Sequence, residues 1–282
     1  MLPFRPRAAD AAGEPSGYCQ YEGFRLAYEI HGEAAGPTIV LIHGILLDAA
    51  CNRDLALALA GEGYRVVLLD LLGHGRSDKP GHAKELRIDF FAEQLACLMD
   101  HLNIERAVIG GVSLGAITAL EFACRWPERV QALFLEMPVM ERATPAAALM
   151  LVPVLALVRY AAPLPRMLAR GLSFLPRPRS NLWQIAYNLL TQQPEDIASI
   201  IHGVLTGPVV PPRRARKGLA APTLIIGHGG DWLHNLEDAQ VLAREMPNAE
   251  FVVAESLLEL RLRPQRLLPK IQSFMQQVTA TA

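Results

Sequence analysis

Aromatic residues make up only 6% of the 282 residues, the formal net charge is -1, and the four cysteines fall in no C-x-x-C or metal-ligand spacing. So even a charge balance gives no electrostatic drive toward nucleic acid, and none is expected as a partner. Cys19, Cys51, Cys97 and Cys124 are scattered, which argues against a redox motif or a disulfide framework. Cys97 and Cys124 lie inside apolar-periodic stretches and read as core thiols. The start, MLPFRPRAADAAGEPSG, lacks an apolar h-region, so no secretory signal is expected. The longest apolar stretch, 146–158, is too short to span a bilayer and is interrupted by Pro153. No stable membrane insertion is expected, and a cytoplasmic location is the default. An amphipathic cationic helix is not visible either, which leaves action at a lipid surface unsupported. No cofactor or metal motif stands out, no sequence repeats, and no histidine follows His234.

With 51% hydrophobic and 20% charged residues, the chain reads as an ordered protein able to bury a sizeable core. Short continuous apolar runs at 38–42, 65–69, 107–109, 130–136, 223–227 and 251–254 have the character of strands covered on both faces. Helical patterns fall between them, and Glu22-Gly23 marks a hairpin ahead of them. Asp89 is expected to cap a helix running to Leu102. This alternation predicts an α/β fold, a mostly parallel sheet of about eight strands flanked by helices.

Between Pro138 and Pro212 the rhythm stops, and helices are expected over 181–190 and 194–205. The Pro/Arg-biased 163–180 reads as a mobile part of this insertion. Four segments follow: a loose arm over 1–16, a core over 17–137 and 213–282, and a helical lid over 138–212. A lid inserted after the sixth strand covers the carboxyl edge of the sheet, where ligands bind in such folds.

The stretch AVIGGVSLGAITALEFACRW, 107–126, carries the chemistry. A strand feeds G-x-S-x-G, here Gly111, Ser113 and Gly115, and a helix stopped by Pro127 follows. The turn is so tight that its flanking positions must lack bulk, while the serine is strained with its hydroxyl exposed. The helix start also favours developing negative charge.

His43-Gly44 after the third strand, Asp70-x-x-Gly73-x-Gly75-x-Ser77 after the next, the elbow and Asp231 after TLIIG occur in one order. In these residues the chain resembles the α/β-hydrolase fold superfamily over nearly its whole length. The resemblance implies Ser113 as nucleophile, an oxyanion hole from the N–H groups of Ile45 and Leu114, and Asp231 as the acid. Glu136, at the end of the strand before the lid, is the second candidate for the acid. Asp231 has a plainer reading as the cap of the helix near Glu237.

The histidine departs from the pattern. In the family it follows the last strand, and here Leu257 occupies that place. A serine hydroxyl without an adjacent base is a weak nucleophile. Of the eight histidines, His31, His82 and His101 read as structural or solvated, and His43 and His74 as hydrogen-bonding groups in glycine turns. His202, on a lid helix, could face the pocket. His234, three residues beyond Asp231, is the candidate for a relocated base. His228, Asp231 and His234 also have a spacing that admits a metal, but no fourth ligand is visible and no metal is expected.

The function expected is hydrolysis of carboxylic esters or related acyl compounds through an acyl-serine, in an apolar pocket beneath the lid. Its substrate would be a small apolar ester or acyl compound, no cofactor is needed, and a homodimer is compatible with the composition. The alternative is a non-hydrolytic or catalytically degenerate member, a small-ligand binder or an enzyme of another reaction type, motivated by Leu257. A dehalogenase or epoxide hydrolase with a carboxylate nucleophile is disfavoured, because the elbow carries Ser113.

Overall fold

Glu22 and Gly23 both have positive φ, 49° and 85°, and turn the chain back on itself between β1 (Gly17–Tyr21) and β2 (Phe24–His31). The computed structural model describes residues 14–178, 180–229 and 234–280. Its further strands are β3 (Thr38–Ile42), β4 (Arg65–Leu69), β5 (Ala107–Val112), β6 (Val130–Glu136), β7 (Thr223–His228) and β8 (Ala249–Ala254). They form one sheet in the order β1-β2-β4-β3-β5-β6-β7-β8. The pairs β1–β2 and β2–β4 are antiparallel and the rest are parallel, as the alternating pattern predicts.

The helices are α1 (Ala50–Gly61), α2 (Ile88–His101), α3 (Leu114–Arg125), α4 (Thr144–Tyr160), α5 (Pro163–Ser173) and α6 (Asn181–Thr191). They continue with α7 (Pro194–Thr206), α8 (Arg213–Lys217), α9 (Leu236–Glu245), α10 (Glu259–Leu262) and α11 (Leu268–Ala280). Because strand side chains alternate, the sheet feeds two apolar clusters. Val40, Ile42, Val67, Leu69 and Ile109 pack with Phe91, Leu95 and Leu98 of α2 and Ile117 and Leu120 of α3. Ile39, Leu41, Val66, Leu68 and Val108 pack on the other face with Leu55 and Leu59 of α1 and Ile271, Phe274 and Met275 of α11. Each such side chain, fully buried, contributes about 1.5–3 kcal/mol.

Two local expectations are corrected. Asp89 does not cap α2: the cap is Arg87, and Asp89 sits in the first turn, where it accepts from Arg87 Nε and Nη2 at 3.1 and 2.7 Å. Its charge still suits the positive end of the helix. The Pro/Arg-biased segment contains a helix, α5, because Pro163 falls at its start, where the missing N–H costs nothing. That helix carries Arg166 and Arg170 while exposing Leu164, Met167 and Leu168, so a cationic amphipathic helix does exist.

Between β6 and β7 lie α4 to α8, with no strand among the described residues. Of the expected arm, residues 1–13 lie outside the described residues, and Ser16 is tied in by bonds to the Tyr28 carbonyl and the Ile30 N–H, both 2.8 Å. No single described helix is long and apolar enough to cross a membrane.

Candidate active site

The site begins where β3 and β5 end side by side, Ile42 opposite Gly111. A Cβ on Gly111 would stand 2.5 Å from the Ile42 carbonyl oxygen, and one on Gly115 only 2.2 Å from it. Only hydrogen fits at both positions, and α3 is thereby brought hard against β3. Ser113 turns between strand and helix with φ 54° and ψ −111°, a conformation costly for a residue with a side chain. Its N–H donates to the Glu136 carbonyl at 2.8 Å and its own carbonyl accepts from Ile117 N–H at 3.1 Å, so neighbouring elements hold the strain in place.

After β3 the chain makes a second turn, closed by Leu47 N–H donating to the Gly44 carbonyl at 3.1 Å with Leu46 at φ 59°. His43 is fully buried behind it. Its Nε2 accepts from Leu71 N–H at 3.0 Å, which leaves Nδ1–H to donate to the Gly44 carbonyl at 2.8 Å. Burial lowers its pKa, outweighing the attraction of Asp70, so the ring is neutral. His74 is lowered well below the ordinary value by burial and by His43 beside it.

Asp70 braces this turn from below. Its carboxylate accepts from Ala49 N–H at 2.7 Å, and from Arg76 N–H and Nε at 3.0 and 3.1 Å. A Cβ on Gly75 would lie 2.4 Å from that carboxylate, which explains the glycine in the motif. From above, Gln192 Nε2 at the α6–α7 junction donates to the Leu46 carbonyl at 2.6 Å. Asp48, raised in pKa by burial and by Asp70, accepts from Asn188 Nδ2 at 2.5 Å.

Ile45 and Leu114 both border the cavity that contains Ser113. Neither of their N–H groups donates to a protein acceptor among the described residues. The cavity, about 60 Å³, is lined mostly by apolar side chains, among them Ile117, Val139, Ala147 and Leu151 of α4, Val204 and Val209, with Thr144 also at its wall.

His234, buried just before the Asn235 cap of α9, brings its Nε2 to 2.9 Å from Ser113 Oγ. Asp231 lies outside the described residues. The cap that might have explained an Asp near Glu237 is made by Asn235, whose side chain accepts from Glu237 N–H at 2.9 Å.

Glu136 is engaged elsewhere: its carboxylate pairs with Arg261, and His228 Nε2 lies 3.6 Å away. Burial opposes its ionisation, but Arg261 and His228 outweigh burial and lower its pKa. His228 donates from Nδ1 to the Ser256 carbonyl at 2.7 Å, so it supports the segment after β8. His202 is exposed and does not line the cavity. Leu257, at the place where the family pattern puts a histidine, is 41% exposed.

The buried group of Glu136, Arg261 and His228 beneath the elbow was not readable from the sequence. A glutamate ending a buried strand signals that some cation must reach it, but not which one.

In comparisons with known proteins, residues 37–256 match the family described as alpha/beta hydrolase fold. The chain is 39% identical over 113 residues to an uncharacterized protein of Mycobacterium tuberculosis, 40% of this chain and 32% of that one. It thus spans 32% of the length of the first curated relatives it matches. To a haloalkane dehalogenase of Mycolicibacterium paratuberculosis it is 31% identical over 126 residues, 44% of this chain and 42% of the relative. The fold is similar to that of a thermophilic esterase from Thermogutta terrifontis, with a TM-score of 0.72 and 25% identity over 93% of this chain and 98% of the other.

Proposed function

Because the chain belongs to the α/β-hydrolase fold family, we propose that it hydrolyses carboxylic esters through an acyl-serine formed on Ser113, with His234 as the base. One observation carries this: the 2.9 Å approach of His234 Nε2 to Ser113 Oγ at the strained elbow. Ser113 Oγ attacks the acyl carbon while its proton passes to His234 Nε2. The carbonyl π electrons move onto oxygen, and that alkoxide accepts from the N–H groups of Leu114 and Ile45, which border the cavity beside Ser113. Collapse expels the alcohol, which takes the proton from His234. Water then attacks the acyl-serine while giving a proton to His234, the bond between the acyl carbon and Ser113 Oγ breaks, and Oγ takes the proton back from His234 as the carboxylic acid leaves.

Asp231 precedes His234 by three residues and keeps the family order Ser, Asp, His. Its role is to orient the imidazole and stabilise the charged ring. The apolar lining favours a small apolar acyl group, and α4 and α7 act as the lid over it. Against a dehalogenase with a carboxylate nucleophile stands the identity of residue 113, a serine. The non-hydrolytic alternative was motivated by Leu257, and a base supplied by His234 removes that motive.

A fluorophosphonate probe tests the assignment directly. Rapid labelling at Ser113, slowed by His234→Ala and abolished by Ser113→Ala, is the expected result. Labelling of equal rate in His234→Ala would exclude that imidazole as the base.

A further inference from the structure

Helix α4 has two apolar faces. One lines the Ser113 cavity through Ala147 and Leu151, and the other presents Leu149, Val152 and Leu157 to solvent. The next two helices repeat the outward display. Leu164, Met167 and Leu168 are exposed on α5, and Trp183 and Leu190 on α6. Three aromatic rings stand out with them, Phe174 at 89%, Tyr160 at 86% and Trp183 at 66% exposure. That many exposed large apolar side chains on three consecutive helices are unusual unless something covers them.

The charge of the same segment says what. From 143 to 194 there are five arginines, at 159, 166, 170, 177 and 179, and no aspartate, glutamate or lysine. Among the described residues Arg166 pairs with Glu195 of α7, and Arg159, Arg170 and Arg177 make no ion pair. A second copy meeting this face would set arginines against arginines, with no acid in the segment to pair them. An anionic surface answers both features, taking the rings and leucines into its apolar boundary and the arginines to its head groups. Helices α4 and α5 are bent by 88° at the break between them. They therefore cannot form one straight span, but both can lie along a surface.

We propose that the outer face of α4, α5 and α6 docks this protein peripherally on an anionic lipid bilayer. The docking does not depend on the catalytic assignment. Its recognition elements are Tyr160, Phe174 and Trp183 as interfacial rings, and Arg159 and Arg170 as head-group contacts.

Flotation with vesicles tests it, comparing phosphatidylcholine alone with equal parts of phosphatidylcholine and phosphatidylglycerol. The full chain is expected to float with the mixed vesicles, less so in high salt, and not with phosphatidylcholine alone. Arg159→Gln with Arg170→Gln should weaken binding about 25-fold, or about five-fold per charge removed. Phe174→Ser with Trp183→Ser should weaken it at least about ten-fold. All four positions are exposed, so the thermal midpoint should stay unchanged and separate lost docking from lost folding. The proposal is overturned by failure to float with anionic vesicles, by equal binding to neutral ones, or by binding indifferent to both double variants. It is also overturned if sedimentation velocity shows a dimer that Phe174→Ser with Trp183→Ser dissolves.

Discussion

His234 Nε2 and Ser113 Oγ lie 2.9 Å apart although 121 residues separate them, and the imidazole comes from the segment before α9, not from the one after β8. The parallel sheet makes this meeting possible by bringing the ends of β5 and β7 to one edge, with only β6 between them.

The position of the base predicts what an added histidine does. Leu257→His places an imidazole at a largely exposed position of a site that already has one, so kcat/KM for a short soluble ester should stay within about two-fold of the parent. His234→Ala should lower it about 10²–10⁴-fold. A large gain from Leu257→His would mean that His234 does not serve Ser113.

The two elbow glycines and Gly44 should respond differently to alanine. At Gly115 the new methyl meets a backbone oxygen at 2.2 Å, whereas at Gly44 the nearest atom is Leu47 Cδ1 at 3.2 Å, the end of a movable side chain. Urea unfolding should show Gly115→Ala destabilised by about 1–3 kcal/mol or more and Gly44→Ala by less than about 1 kcal/mol. Equal costs would contradict the close approach of α3 to β3.

Removing the carboxylate of Asp70 strips partners from Ala49 and Arg76 at once. Arg76 keeps Glu29 as a partner, so Asp70→Ala should cost about 1–3 kcal/mol, the loss from leaving the Ala49 N–H and part of the guanidinium unsatisfied. Asp70→Asn keeps an acceptor and should retain part of the stability while losing ester turnover through a loosened Gly44–Leu47 turn. Unchanged turnover in the folded Asn variant would detach Asp70 from the oxyanion side of the site.

Acid should act in two stages. His43 and His74 have folded-state pKa values below the ordinary 6.5, chiefly through burial, so the unfolded chain binds more protons just below that pH. The stability they contribute is complete above 6.5 and shrinks as pH falls, by up to about 1.4 kcal/mol per pH unit for each. Glu29 is lowered because His31, Arg53 and Arg76 outweigh its burial, and its contribution is complete above 4.5 and lost only below that. Urea midpoints measured from neutral to acid pH should show both declines, with the first roughly halved in His74→Gln. A midpoint flat between pH 7 and 5 would refute the neutral buried pair.

The layered fold was legible because its cause is local. TIVLI at 38–42 and the run at 65–69 are apolar on both faces, and such runs form strands only where helices cover both sides. The elbow was legible for the same reason, since a serine between glycines at a strand-to-helix junction leaves the backbone few alternatives. The cationic amphipathic character of 163–173 was missed because its arginines and leucines sort onto separate faces only once the segment is wound as a helix. Asp89 was misread as a cap because a first-turn carboxylate and a capping one look alike in sequence.

The order of residues thus determined the sheet, the nucleophile's turn and the set of histidines from which a base could come, because each follows from neighbours along the chain. Which histidine reaches Ser113, that Glu136 is held by Arg261, and which face of the inserted helices stays bare were decided only by tertiary structure. Those are meetings of residues far apart in sequence. Their free energy comes from burial, hydrogen bonding and charge pairing, which exist only once the sheet has brought its strand ends together.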